Sequence, residues 1–125
     1  MESSSVEKPD WAEALKRFSE RNAGRRTWLE IDDVRFGAQE QQHEYQLLGV
    51  SYDSKDDRIQ IMLGTFSGIG PHLTHTIGEV VEVDILADDI GRDLILRIAE
   101  SGAQTLLRVE QFNDRRDDPS EGAHP

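Results

Sequence analysis

The chain has no cysteine, which excludes disulfides and thiolate chemistry. No apolar run approaches the roughly 20 residues needed to cross a bilayer. The opening residues, Met1-Glu2-Ser3-Ser4-Ser5-Val6-Glu7-Lys8, hold no cationic segment leading into an apolar run, which argues against a secretory signal. These absences predict a soluble, cytoplasmic protein. Bases are scarce too. The net charge is −11, while residues 1–26 hold six bases and five acids. The remaining 99 residues therefore carry −12, with twenty acids against eight bases. An acidic body repels phosphate, so neither nucleic acid nor a membrane surface is expected as a partner. Solubility is the plainer account of such an excess.

What is present is a rhythm of short alternating strands behind one amphipathic helix. At 125 residues the chain suits one domain with its own core. Residues 1–8, rich in Ser and Glu, read as a mobile tail. Residues 111–125 carry one large apolar residue, Phe112, and are expected to be disordered. The domain then spans residues 9–110. Its helix starts near Pro9 and Asp10. Asp10 and Glu13 resemble a capping box. Trp11, Leu15 and Phe18 form one apolar stripe at i, i+4 and i+7, the spacing of a core-facing helix. Arg17 and Arg21 suit the negative end of the helix dipole. Gly24 can take the left-handed conformation that ends a helix.

Strands follow. Trp28 to Phe36 alternates, with a phase slip at Asp32-Asp33 that marks a bulge or a turn. Gln42 to Tyr52 places Leu48, Val50 and Tyr52 in phase. Asp53 to Asp57 is a turn by composition. Arg58 to Leu63 alternates most regularly, with Ile59, Ile61 and Leu63 inward. Val81, Val83 and Ile85 alternate in the next strand, then Leu94, Leu96 and Ile98. Glu100 to Ala103 turns the chain, and Leu107 and Val109 close it. The expected fold is α+β and mostly β: an N-terminal helix packed on a curled antiparallel sheet, or a small barrel, of five to six strands.

No sequence motif assigns chemistry. His43-Glu44 begins a zinc-protease pattern whose second His is missing. The Asp53–Asp57 carboxylates lack calcium-loop spacing, and Gly68-Ile69-Gly70 is a fragment of a phosphate loop. The candidate ligand or partner loop is Gly70, Pro71, His72 and His75. The two His could share a metal if the segment were helical, but they supply half a zinc site and no third ligand is identifiable. Ser67 with a His and an Asp could be drawn as a triad on residue type alone. No catalytic residue, metal or cofactor is therefore assigned.

The helix opened by Trp11, the segment Leu47-Leu48-Gly49-Val50-Ser51-Tyr52-Asp53-Ser54-Lys55-Asp56-Asp57, the strand Ile59-Gln60-Ile61 and the closing hairpin together resemble a family of small bacterial proteins catalogued only as a domain of unknown function. Its Leu-Gly-x-x-Tyr-Asp-x-x-x-Asp block links two central strands in the same way. The resemblance covers residues 10–110. It implies this architecture and a bacterial cytoplasmic setting, and brings no activity, cofactor or functional residues. A non-enzymatic binding or interaction module is the leading expectation, with an unknown protein partner or self-association through sheet edges or exposed apolar positions such as Met62 and Ile95. An enzyme or metal-dependent protein using the Ser67–His75 loop is the second. An RNA-binding small barrel of the Sm-like kind, suggested by element order alone, is the third.

Overall fold

The computed structural model describes residues 2–40, 44–66 and 72–111. In chain order the elements are β1 (Glu2–Val6), a 3-10 turn at Lys8–Asp10, α1 (Trp11–Asn22), β2 (Arg26–Asp33), β3 (Gly37–Glu40), β4 (Tyr45–Asp53), β5 (Arg58–Gly64), β6 (Leu73–Gly78), β7 (Val80–Ala87), β8 (Asp93–Glu100) and β9 (Ala103–Val109). The strands form one antiparallel sheet in the order β1-β7-β8-β9-β2-β4-β5-β6, with β3 pairing on β2. The fold is therefore one helix on a large, mostly β, α+β sheet. The described residues hold nine strands rather than five or six, and β1 and β6 end the sheet without joining into a barrel.

The helix behaves as its stripe requires. Trp11, Leu15 and Phe18 are all buried, removing a large apolar surface from water. The expected side-chain cap is absent. Asp10 sits at φ −99°, ψ 0° and makes no capping hydrogen bond, because a capping residue needs extended backbone. Its amide instead donates to the Glu7 carbonyl at 2.8 Å, closing the 3-10 turn. Gly24 takes φ +79°, the left-handed exit that glycine permits. Its amide then donates to the Leu47 carbonyl at 2.8 Å. Ser19 fixes the helix on β4: its Oγ accepts from the Val50 amide at 2.8 Å.

Two arms make up the sheet. β2 pairs with β4 only at Arg26↔Gln46 and Thr27↔Tyr45, and with β3 from Glu30 to Asp33. The sheet bends at this short seam, and the inner faces turn toward one another. Leu29, Val83, Leu96, Ile98 and Leu107 come from one arm; Leu47, Val50, Ile59, Ile61, Leu63 and Ile77 come from the other. The Nε2 of His75 on β6 lies 3.3 Å from Thr105 Oγ1 on β9, four strands away in the sheet order. That contact spans the fold between the arms.

Several strand readings change in register. The slip at Asp32-Asp33 is a turn: Val34 to Phe36 carries the chain from β2 into β3. In β4 the pairing shifts between Leu47 and Gly49, so Leu47 and Val50 are buried while Leu48 is exposed. In β7 it shifts between Val80 and Glu82, so Val80 turns inward and Val81 is 66% exposed. A bulge of one residue reverses the faces on its two sides, which strict alternation does not register. Glu2–Val6, read by composition as mobile, is instead paired with β7 from Glu2↔Ala87 to Val6↔Val83. Its backbone groups complete the ladder, and the Val6 carbonyl accepts the Trp11 indole at 2.8 Å. Of the segment 111–125 expected to be disordered, Gln111 is half-buried and residues 112–125 lie outside the described residues.

Candidate functional site

Since α1 covers the inner face, the outer face of β1, β7, β8, β9 and β2 carries no layer among the described residues. Its side chains follow from register. One row reads Leu86, Ile95, Arg108, Trp28 across four strands. The next reads Asp84, Arg97, Leu106, Glu30, and the third Glu82, Ala99, Gln104, Asp32. Trp28, Leu86, Ile95 and Leu106 are half-buried. They support one another sideways, as cross-strand pairs do. The Arg108 guanidinium lies 4.1 Å from the Trp28 ring centre, a close cation–π approach.

A polar chain crosses this platform. Arg97 donates to Asp84 Oδ2 at 2.6 Å and to Gln104 Oε1 at 2.7 Å. Gln104 donates in turn to Asp32 Oδ2 at 3.3 Å. Glu82 stands 3.5 Å from Arg97. At this end the surface deepens into an open groove of about 380 Å³ between the β8–β9 turn and the end of β2, lined by Asp32, Val34, Arg97, Glu100 and Gln104 among others. Val34 lines it from the β2–β3 turn, and Phe36 follows two residues on in that turn; the two are 83% and 68% exposed. The turn is held by Val34 N–H donating to the Gly102 carbonyl at 3.0 Å. Asp33 braces it too, accepting from the Arg35 amide and guanidinium. Those hydrogen bonds hold the Asp33 carboxyl below the usual carboxylate range.

The loop singled out in the sequence is distributed differently. Gly70 and Pro71 lie outside the described residues, as do Ser67 and His43. His72 is exposed just before β6, and His75 is half-buried on the inner face of β6. The pair therefore sits on extended backbone and not on a helix, so the two rings do not share the face that i, i+3 helical spacing gives. Among the described residues no group of three or more His, Asp or Glu comes together in a way that could hold a metal ion.

Burial pushes the His75 imidazole below its ordinary value of 6.5, because desolvation disfavours the charged ring. The neutral ring is thus favoured in the fold. Its contribution to stability is fully present above about 6.5 and declines as the pH falls from there toward the lower folded value. Urea unfolding at pH 7.5 and 5.5 checks this. The wild-type protein is expected to lose more stability on acidification than His75→Gln, and equal losses in both would contradict the assignment.

The Tyr-Asp block has a structural account. Tyr52 donates to Asp57 Oδ1 at 2.7 Å, and Lys8 lies 3.3 Å from the same carboxylate. The Trp11 ring meets the Tyr52 ring edge-on at 5.2 Å. Asp53 Oδ1 accepts from the Lys55 amide at 3.0 Å, shaping the turn. The hydrogen bond to Asp57 raises the Tyr52 pKa, and the same bond lowers that of Asp57. The block ties the first residues of the helix to the β4–β5 hairpin.

A family model matches residues 2–118. The chain belongs to the family of unknown function DUF5335. No curated protein and no solved structure matches it. For this family member, then, the groove and platform are the features from which a role can be argued. Sequence reasoning named Ile95 from the platform and missed the rest. Val34 and Phe36 were legible only as strand residues, although two apolar residues flanking Arg35 after Asp32-Asp33 are out of phase with any buried face. No helix of the described residues is long and apolar enough to cross a membrane.

Proposed function

We propose that the protein is a non-enzymatic interaction module whose outer sheet face docks another polypeptide. The carrying observation is a half-buried apolar platform beside a groove lined by Val34, with a second exposed apolar side chain, Phe36, two residues on in the same turn. Single exposed apolar residues are ordinary on protein surfaces. Contiguous ones beside a concavity mark an interaction site. The turn bearing them is braced at Asp33 and Gly102, so little ordering remains for binding to impose. We place the module in the bacterial cytoplasm, on the family resemblance and the lack of cysteine. The acidic surface disfavours nucleic acid, which is the weakness of the Sm-like alternative. The enzyme alternative would draw on the Ser67–His75 loop, of which residues 67–71 lie outside the described residues.

Photo-crosslinking tests this role. A photoreactive amino acid replacing Phe36 is expected to trap a polypeptide in cells of the protein's own host. The same group replacing Lys16, exposed on α1, is expected to trap none.

A further inference from the structure

We infer that the groove lined by Val34, with Phe36 in the same turn, takes a polypeptide segment in which a lysine or arginine neighbours an apolar side chain. This rests on the reading of the outer face as a docking surface and names the chemistry of its partner. The charges at the groove are not equally available. Arg97 is held by Asp84 at 2.6 Å and by Gln104 at 2.7 Å. Arg35 is engaged by both oxygens of Asp33, at 3.2 and 3.1 Å, and its guanidinium lies 5.2 Å from the Phe36 ring centre. An acidic segment would have to break these pairs to gain a cation. The carboxylates are freer. Asp32 meets a neutral amide at 3.3 Å, and the cation that Glu100 attracts is Arg35, whose guanidinium Asp33 already holds. Both line the groove.

An incoming cation therefore finds Asp32, bonded to a neutral amide, and Glu100, whose neighbouring cation Arg35 is already engaged by Asp33. A guanidinium can also take two parallel bonds from one carboxylate. Beside it, Val34 and Phe36 present apolar surface that only an apolar neighbour can cover. The two demands together select a mixed segment: charge alone leaves the apolar pair wet, and an apolar residue alone leaves Asp32 and Glu100 partly desolvated without compensation. Rim charges of this kind act mainly on selectivity and association rate.

The test is selection of a random dodecapeptide library on the full chain, with counter-selection on the double variant Val34→Ser, Phe36→Ser. Enriched peptides pairing Lys or Arg with an apolar residue support the inference. Their affinity is then expected to fall about 5-fold in Asp32→Asn, Glu100→Gln, as two rim ion pairs are lost. Face-dependent peptides that are neutral or acidic, or that keep full affinity for the carboxamide variant, overturn the inference and leave the docking face standing. Enrichment that ignores the Val34 and Phe36 changes, or none at all, overturns both. A circular dichroism spectrum matching the wild type establishes that each variant is folded.

Discussion

Replacing Phe18 with alanine is expected to destabilise the protein by about 3–5 kcal/mol, the usual cost of removing a buried aromatic ring. Phe18 has no solvent exposure, and its neighbours on the same stripe, Trp11 and Leu15, are equally enclosed. The helix is held on β4 both by this stripe and by the bonds of Ser19 to Val50. It therefore cannot slide to fill the space, and the cavity term adds to the lost transfer energy. Folded domains have total stabilities of about 5–15 kcal/mol, so the variant should be marginal. Urea unfolding measures it. A loss below about 0.5 kcal/mol, the range of a surface position, would mean that the stripe is not the underside of the helix.

The second large effect is expected at Asp93. Its side chain is almost wholly buried where β8 begins, and it accepts from Arg21 Nε at 2.8 Å, Arg21 Nη2 at 3.2 Å and Asn22 Nδ2 at 2.8 Å. These bonds join the last turn of α1 to β8, as the Trp11 indole joins its first turn to β1. In Asp93→Ala the buried Asn22 Nδ2 keeps only its bond to the Phe18 carbonyl, at 2.9 Å, and one proton goes unmet. An unsatisfied buried donor costs about 1–3 kcal/mol. The Arg21 side chain is about half exposed, so its share is screened and adds well under 1 kcal/mol. A total near 2 kcal/mol is expected, with Asp93→Asn close to 1 because its carbonyl can still accept from Asn22. Equal losses in the two variants would contradict this division.

Much of the architecture was legible because it depends on burial with a fixed period. The Trp11, Leu15 and Phe18 stripe gave the helix and its buried face. Ile59, Ile61 and Leu63 gave β5, and Leu94, Leu96 and Ile98 gave β8. Four things escaped. β1 has only Val6 to announce it, because an edge strand can be held by its backbone alone and needs no apolar side chains. β6 reads Leu-Thr-His-Thr-Ile-Gly, where His75 occupies an inward position that period 2 would give to an aliphatic residue. The bulges at Leu48 and Val81 reversed faces within strands that were otherwise correctly placed. The sheet stays open because β1 pairs with β7 alone and β6 with β5 alone among the described residues, a long-range choice that no local pattern records. The candidate site was the least legible part. The outer platform mixes Trp28, Ile95 and Leu106 with Arg97, Arg108 and Asp84, so it resembles neither a core face nor a solvated one. It becomes a surface only when four strands are set in register.

The most direct measurement of the central claim, that the outer sheet face is where this protein meets another polypeptide, is the crosslink yield from Phe36 set against that from Lys16 in intact cells. The account predicts a discrete adduct from the Phe36 position, diminished when Asp32 and Glu100 are changed to their amides, and background labelling from Lys16. Background labelling at Phe36, or an adduct that forms equally from the helix surface, would contradict it.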